Sequence, residues 1–206
     1  MSASPDKIKI LYVCRLFNGF ETSIESKVWD PTGVPTIYRV INELDSNQLY
    51  NLDLVVTSTD CQSWWNYGYA KKLKISGLSS MVTVLSSIGL KFGKLGVATQ
   101  ELFHIFFLFI KVLYGRYDVV YIDHANIFTA ALIARIQNTP VVFRIMGVYP
   151  AMRNVLVRNN LMSRILRWCY SSPFSMVICT QDGSGIEPWL QQSIGKGVLV
   201  HKLING

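Results

Sequence analysis

The feature that most restricts the fold is a series of short, almost continuously apolar runs, most of them followed by a segment of helical spacing. Lys7–Cys14 (KIKILYVC), Leu52–Ser58 (LDLVVTS), Met81–Leu85 (MVTVL), Tyr117–Ile122 (YDVVYI), Val141–Ile145 (VVFRI) and Phe174–Cys179 are rich in Ile, Val and aromatic residues. Most lack the in-and-out alternation of a half-solvated strand, and such runs read as strands buried on both faces. Helical spacing follows the first of them in Ile37, Val40, Ile41 and Leu44. It returns over Ala98–Tyr114, over Asn126–Ile136, where alanines allow close packing, over the basic stretch Leu156–Tyr170, and over Ile186–Ser193. Gly197–His201 reads as a last strand, whereas Thr59–Ser80 fits neither period. Strands that alternate with helices form parallel pairs, because each crossover carries a helix, so the expected architecture is a doubly wound α/β sheet.

Composition supports a packed core. Of 206 residues, 50% are hydrophobic and 16% charged, which excludes an intrinsically disordered chain. Twenty Lys and Arg against thirteen Asp and Glu leave a formal charge of +7. That charge suits an anionic membrane face, a phosphate-bearing ligand or RNA equally. Cys14, Cys61, Cys169 and Cys179 include no C-x-x-C pair and no histidine at metal-ligand spacing, so buried free thiols in a reducing compartment are expected. The apolar run after Lys9 is too short for the core of a signal peptide.

The most lipid-like segment is Leu102–Leu113 (LFHIFFLFIKVL). It holds His104 and Lys111 and offers about twelve residues against the roughly twenty that a membrane span needs. A buried helix is expected there, with peripheral membrane contact through Phe103, Phe106, Phe107, Leu108 and Phe109 as the alternative, beside Lys91, Lys94, Lys111 and Arg116.

Ligands of a doubly wound sheet bind outside the carboxyl ends of its strands. The polar residues that follow the strands are therefore the candidates: Arg15 with Asn18 and Gly19, Thr57–Asp60, Asp123 with His124 and Asn126, Met146 with Gly147 and Tyr149, and Thr180 with Gln181, Asp182, Gly183 and Ser184. They are far apart in sequence and are expected to converge on one rim. No G-x-G-x-x-G follows the first strand, which argues against a dinucleotide-binding oxidoreductase.

These segments together resemble a known family. The opening strand, the loop Asp30-Pro31-Thr32-Gly33-Val34-Pro35-Thr36 at a helix start, Asp118–His124, Pro140–Gly147 and Leu203–Gly206 are similar, in order and spacing, to the amino-terminal domain of GT-B glycosyltransferases of family 4. The resemblance covers nearly the whole chain and implies a mostly parallel Rossmann-like sheet flanked by helices, one half of a GT-B architecture. In the family the first domain mainly holds the acceptor and the second holds the nucleotide sugar. The second domain's Arg/Lys pair and its spaced glutamates have no counterpart in this sequence. The expectation is thus a single domain over residues 1–206, the acceptor-binding half of a retaining hexosyltransferase, inactive without a donor-binding domain or partner chain. The alternative is a non-catalytic acceptor-binding or membrane-recruiting subunit.

The resemblance also assigns roles. Gly33 is placed against the donor diphosphate at a helix amino terminus, where unpaired N–H groups and a partial positive charge favour anions; the plainer alternative is a turn glycine. Val34 stands where many relatives have a second glycine. His124 is placed near the donor sugar as the catalytic residue, able to donate to a hydroxyl while neutral or to stabilise departing phosphate when protonated, against a purely structural histidine. Arg15, Asn18, Arg144 and Asp182 are the acceptor-binding candidates; surface ion pairs for the arginines, and a turn for Asp182, are the alternatives. Met146 replaces a histidine common in relatives. Trp64, Trp65, Tyr67 and Tyr69, interleaved with Lys71, Lys72 and Lys74, lie where the family's loop faces the acceptor, and aromatic faces pack on sugar C–H surfaces. Carbohydrate is therefore the expected partner, and nucleic acid is not, since no nucleic-acid-binding module is present. A nucleoside diphosphate sugar is the expected co-substrate, with no other cofactor and no metal. The expected location is cytoplasmic, with the inner face of the cell membrane as the site of any peripheral contact.

Overall fold

The apolar runs form strands packed between helices, and a computed structural model describes them over residues 7–58, 70–86, 93–181 and 185–204. The chain comprises two compact units, residues 1–118 and 119–206.

In the first unit β1 (Ile8–Arg15) is followed by α1 (Asn18–Ser26), α2 (Pro35–Ser46), β2 (Tyr50–Thr57), β3 (Ala70–Lys74), β4 (Met81–Leu85) and α3 (Gly93–Gly115). Its strands lie in the order β3-β4-β2-β1. β1 and β2 run parallel from Ile8↔Tyr50 to Arg15↔Thr57, and β2 and β4 are parallel as well. Leu11, Tyr12, Val13 and Cys14 are all fully buried, which is what a parallel strand covered on both faces requires. β3 pairs antiparallel with β4 from Ala70↔Leu85 to Lys74↔Met81. It carries Lys71, Lys72 and Lys74, and lysines on an outer strand discourage pairing with another chain.

α1 occupies the stretch that reads as a glycine-bearing loop. Phe20 and Ile24, one turn apart, are its buried apolar pair. Phe20 packs on Phe17 and edge-on against Trp29, so tertiary contacts supply what a weak local pattern does not. In α2, Pro35 sits in the first turn, where its missing N–H costs nothing, and Ile37 and Ile41 are buried.

α3 begins earlier than its apolar stretch and runs for 23 residues. Leu95–Gly115 is long and apolar enough to cross a membrane by length and composition, and only 28% of its most apolar window is buried. The helix expected to be buried over Leu102–Leu113 is instead largely exposed, at Leu102, Phe103 and Phe106 among others. Its inner stripe is Gln100, His104, Leu108 and Val112, all buried at a spacing of four. That face is anchored to the first unit's own strands: Gln100 Nε2 donates to the Ser58 carbonyl, Glu101 pairs with Arg15 and Lys111 pairs with Asp53 at 2.6 Å. Polar groups fixed in this way mark a helix packed on a sheet.

The second unit runs β5 (Val119–Asp123), a single 3-10 turn (His124–Asn126), α4 (Ile127–Ile136), β6 (Val141–Ile145), α5 (Pro150–Val157), α6 (Leu161–Tyr170), β7 (Met176–Gln181), α7 (Glu187–Ser193) and β8 (Leu199–Ile204). Its strands are all parallel in the order β5-β6-β7-β8. Buried Ala130, Ala131 and Ile133 let α4 pack against α6 and β6. The single helix expected over Leu156–Tyr170 is two. The Asn160 side chain accepts from Ser163 N at 2.8 Å and starts α6, and Arg167 donates to the carbonyls of Val155 and Arg158 at 2.7 and 2.8 Å. An N-cap asparagine and a guanidinium that satisfies terminal carbonyls stabilise a break there. The chain is thus α/β, with mostly parallel strands flanked by helices.

Candidate functional site

In the first unit the candidates lie after β1. Arg15 ends that strand, and its Nη2 donates to Glu101 Oε1 of α3 at 2.7 Å, both side chains about one-fifth exposed. This guanidinium is therefore already engaged by a carboxylate. Asn18 is exposed at the start of α1, where its carbonyl accepts from Thr22 Oγ1 at 3.2 Å. Gly33 is exposed with φ +94°, a conformation natural to glycine, and a Cβ there would meet nothing within 4 Å. Gly19 is a requirement of a different kind. A Cβ on it would lie 1.8 Å from the Thr32 carbonyl oxygen, so this glycine lets the Thr32-Gly33 backbone rest on the first turn of α1. Asn18 and Gly33 are thereby brought together, while Arg15 turns to α3.

In the second unit His124 begins the turn after β5. Its Nε2 is hydrogen-bonded to the Tyr170 hydroxyl at 2.6 Å, and the two rings stack with an interplanar angle of 9°. Phe143 and Tyr149 complete an aromatic enclosure, with centroids 6.2 and 6.1 Å away. Burial pulls the His124 pKa down from 6.5 to about 4, and burial raises that of the Tyr170 phenol. Both are neutral at pH 7, so His124 offers a neutral hydrogen-bonding ring. Burial works against the imidazolium role that the sequence leaves open. Tyr170 is the partner that the sequence reading missed. It follows Cys169 in a helix, with no local pattern to mark it.

Asp123 and Asn126, each at the start of a helical segment, make no capping hydrogen bond through their side chains. Instead Asn126 Nδ2 donates to Asp123 Oδ1 at 2.7 Å, which satisfies part of a carboxylate that is 2% exposed.

Arg144, near the end of β6, is 3% exposed. Its Nη1 donates to the Tyr121 hydroxyl at 3.0 Å and its Nη2 to Thr180 Oγ1 at 3.3 Å. Nε has no hydrogen-bond partner, and among the described residues no carboxylate forms an ion pair with this guanidinium. Asp123 is its register neighbour on β5. Burial raises the Tyr121 phenol pKa, Arg144 lowers it and Asp123 raises it. A buried guanidinium held by two hydroxyls is costly unless an anion joins it. Thr180 was among the strand-end candidates, whereas nothing in the sequence marked Tyr121, two residues before Asp123 on β5, as a partner of Arg144.

Successive strand residues point to opposite faces. His124 lies beside Phe143, their rings tilted at 46°, so Arg144, the next residue, belongs to the other face. The structure thus separates the catalytic candidate from this acceptor candidate. Asp182 lies outside the described residues, as do Trp64, Trp65, Tyr67, Tyr69 and Cys61. The other three cysteines are buried and form no disulfide among the described residues, and burial lifts the Cys169 thiol to about 11. Among the described residues no group of three His, Cys, Asp or Glu side chains could hold a metal ion.

No protein-family model matches the chain, and no curated protein matches it. Among solved structures, sucrose-phosphate synthase from Thermosynechococcus elongatus matches with a TM-score of 0.59 at 11% sequence identity, over 97% of this chain and 48% of that one. The fold is GT-B-like. The chain spans about half the length of that glycosyltransferase, and at so low an identity the likeness concerns the fold alone.

Proposed function

We propose that the chain is the amino-terminal, acceptor-binding half of a GT-B glycosyltransferase of family 4, which transfers a hexosyl group from a nucleoside diphosphate sugar to a saccharide or lipid-linked acceptor with retention. The observation that carries this reading is the likeness of 97% of the chain to part of a glycosyltransferase. Donor binding then falls to a second domain or a partner chain, and this half is inactive without it. In this reading the neutral ring of His124 hydrogen-bonds the donor sugar through Nδ1, the ring nitrogen that Tyr170 leaves open. The Gly33 backbone faces the donor diphosphate, and Arg144, Asn18, Arg15 and Asp182 serve the acceptor. Arg144 is the strongest of these, because its buried charge calls for an anion; lying on the sheet face opposite the His124 ring, it serves in this reading an acceptor phosphate remote from the hydroxyl that reacts. Transfer needs no metal or other cofactor in this account, and nucleic acid is no partner.

The test is hexosyl transfer by the full polypeptide, supplied with labelled nucleoside diphosphate hexoses and a mixture of oligosaccharide and lipid-linked acceptors. The expected result is a labelled product whose formation falls about 100-fold or more in His124→Ala, the scale set by losing a transition-state hydrogen bond. Transfer that survives in His124→Ala at the wild-type rate, or no transfer from any donor hexose even with a donor-binding half supplied, would contradict the proposal.

A further inference from the structure

We propose that the exposed face of α5 and α6 docks on an anionic phospholipid bilayer. This inference rests on the second unit's own surface and stands whether or not the chain transfers sugars. α6 has its polarity inverted for a surface helix. Its inward residues include Ser163, Cys169 and Tyr170, while Leu161, Ile165 and Trp168, spaced i, i+4 and i+7, face solvent with exposures of 73%, 37% and 47%. Val157, at the end of α5, is 84% exposed beside them. An ordinary surface helix turns such a stripe towards the core.

The charge around this stripe has one sign. From His124 to Gln181 the sequence contains six arginines and no Asp, Glu or Lys. Arg153, Arg158 and Arg164 are exposed, and Arg135 lies over the Trp168 ring at 4.4 Å. An exposed apolar stripe flanked by arginines, with a tryptophan among them, is the composition of a helix lying in the interface of an anionic bilayer. A second copy of the chain is a poor occupant, because a twofold contact through this face sets arginines against arginines. The other exposed apolar helix, α3, lacks this bias: Lys111 and Glu101 on it are paired with Asp53 and Arg15.

The experiment is flotation of the full chain with vesicles of phosphatidylcholine alone or mixed with phosphatidylglycerol. The chain is expected to float with the anionic vesicles only, and less so at high salt. Arg158→Gln/Arg164→Gln is expected to lower partitioning about 25-fold, the product of about fivefold per interfacial arginine. Leu161→Ser/Ile165→Ser is expected to abolish flotation while leaving the thermal unfolding transition in place. Equal flotation with neutral vesicles, flotation unchanged in either α6 variant, no flotation at all, or loss in Leu102→Ser/Phe106→Ser on α3 instead, would overturn the proposal.

Discussion

Two histidines show how burial of single residues sets the chemistry of the chain. His104 is fully buried, and burial, with the Arg15 charge second, pulls its pKa from 6.5 to about 4. His124 is pulled to about the same value by burial alone. A group whose pKa is depressed on folding contributes stability above its unfolded pKa and loses it as pH falls through the folded value. The window is therefore pH 6.5 down to about 4, with up to two protons taken up on unfolding and a slope of about 1.4 kcal/mol per pH unit for each. Urea unfolding across this window is expected to show that loss, and His104→Gln and His124→Gln are each expected to flatten it by about half. A stability independent of pH there would mean that neither ring is held neutral. His124 and Arg144 were legible as strand-end residues, since a polar residue at the end of an apolar run is conspicuous. Tyr170 was not, and although Thr180 was read as a strand-end residue, its pairing with Arg144 was not, because both partners come from distant segments. Gly19 was visible only as one glycine among several, and its need arises from the approach of Thr32.

At the scale of elements, the buried strands were read nearly to their observed ends, since an apolar run of parallel-sheet character has sharp polar borders. Met81–Leu85 and Val141–Ile145 agree with β4 and β6 residue for residue. Helices fared less evenly. α1 has the pattern of a loop because only two of its residues form an apolar pair, and α3 is longer than the span read for it because Gly93 and Gly96, residues that favour loops, lie in its first turns. The division of α5 from α6 was hidden by a continuous helical pattern, although Asn159-Asn160 marks it. Capping by Asn160 has a measurable consequence. Asn160→Ala is expected to cost about 1 kcal/mol in equilibrium unfolding, whereas Asn159→Ala is expected to change little. Equal effects of the two would mean that the break rests on something other than this cap.

For the molecule as a whole, the α/β class followed from the alternation of strand and helix, because that period leaves few ways to cover both faces of a parallel sheet. Function was less legible, because the residues that would recognise a saccharide are scattered along the chain and none forms a specific motif. Under the proposed function the chain holds an acceptor, with Arg144 on its anionic group. The most direct measurement is calorimetric titration of wild type and Arg144→Gln with phosphorylated saccharides and with their unphosphorylated counterparts. Saturable binding is expected, dependent on the phosphate and weakened about 10- to 100-fold in Arg144→Gln, the scale of a charge-assisted hydrogen bond. Unfolding of Arg144→Gln is expected within about 1 kcal/mol of wild type, because no ion pair is broken. Equal binding by a folded Arg144→Gln protein, or no binding of any phosphorylated saccharide, would contradict it.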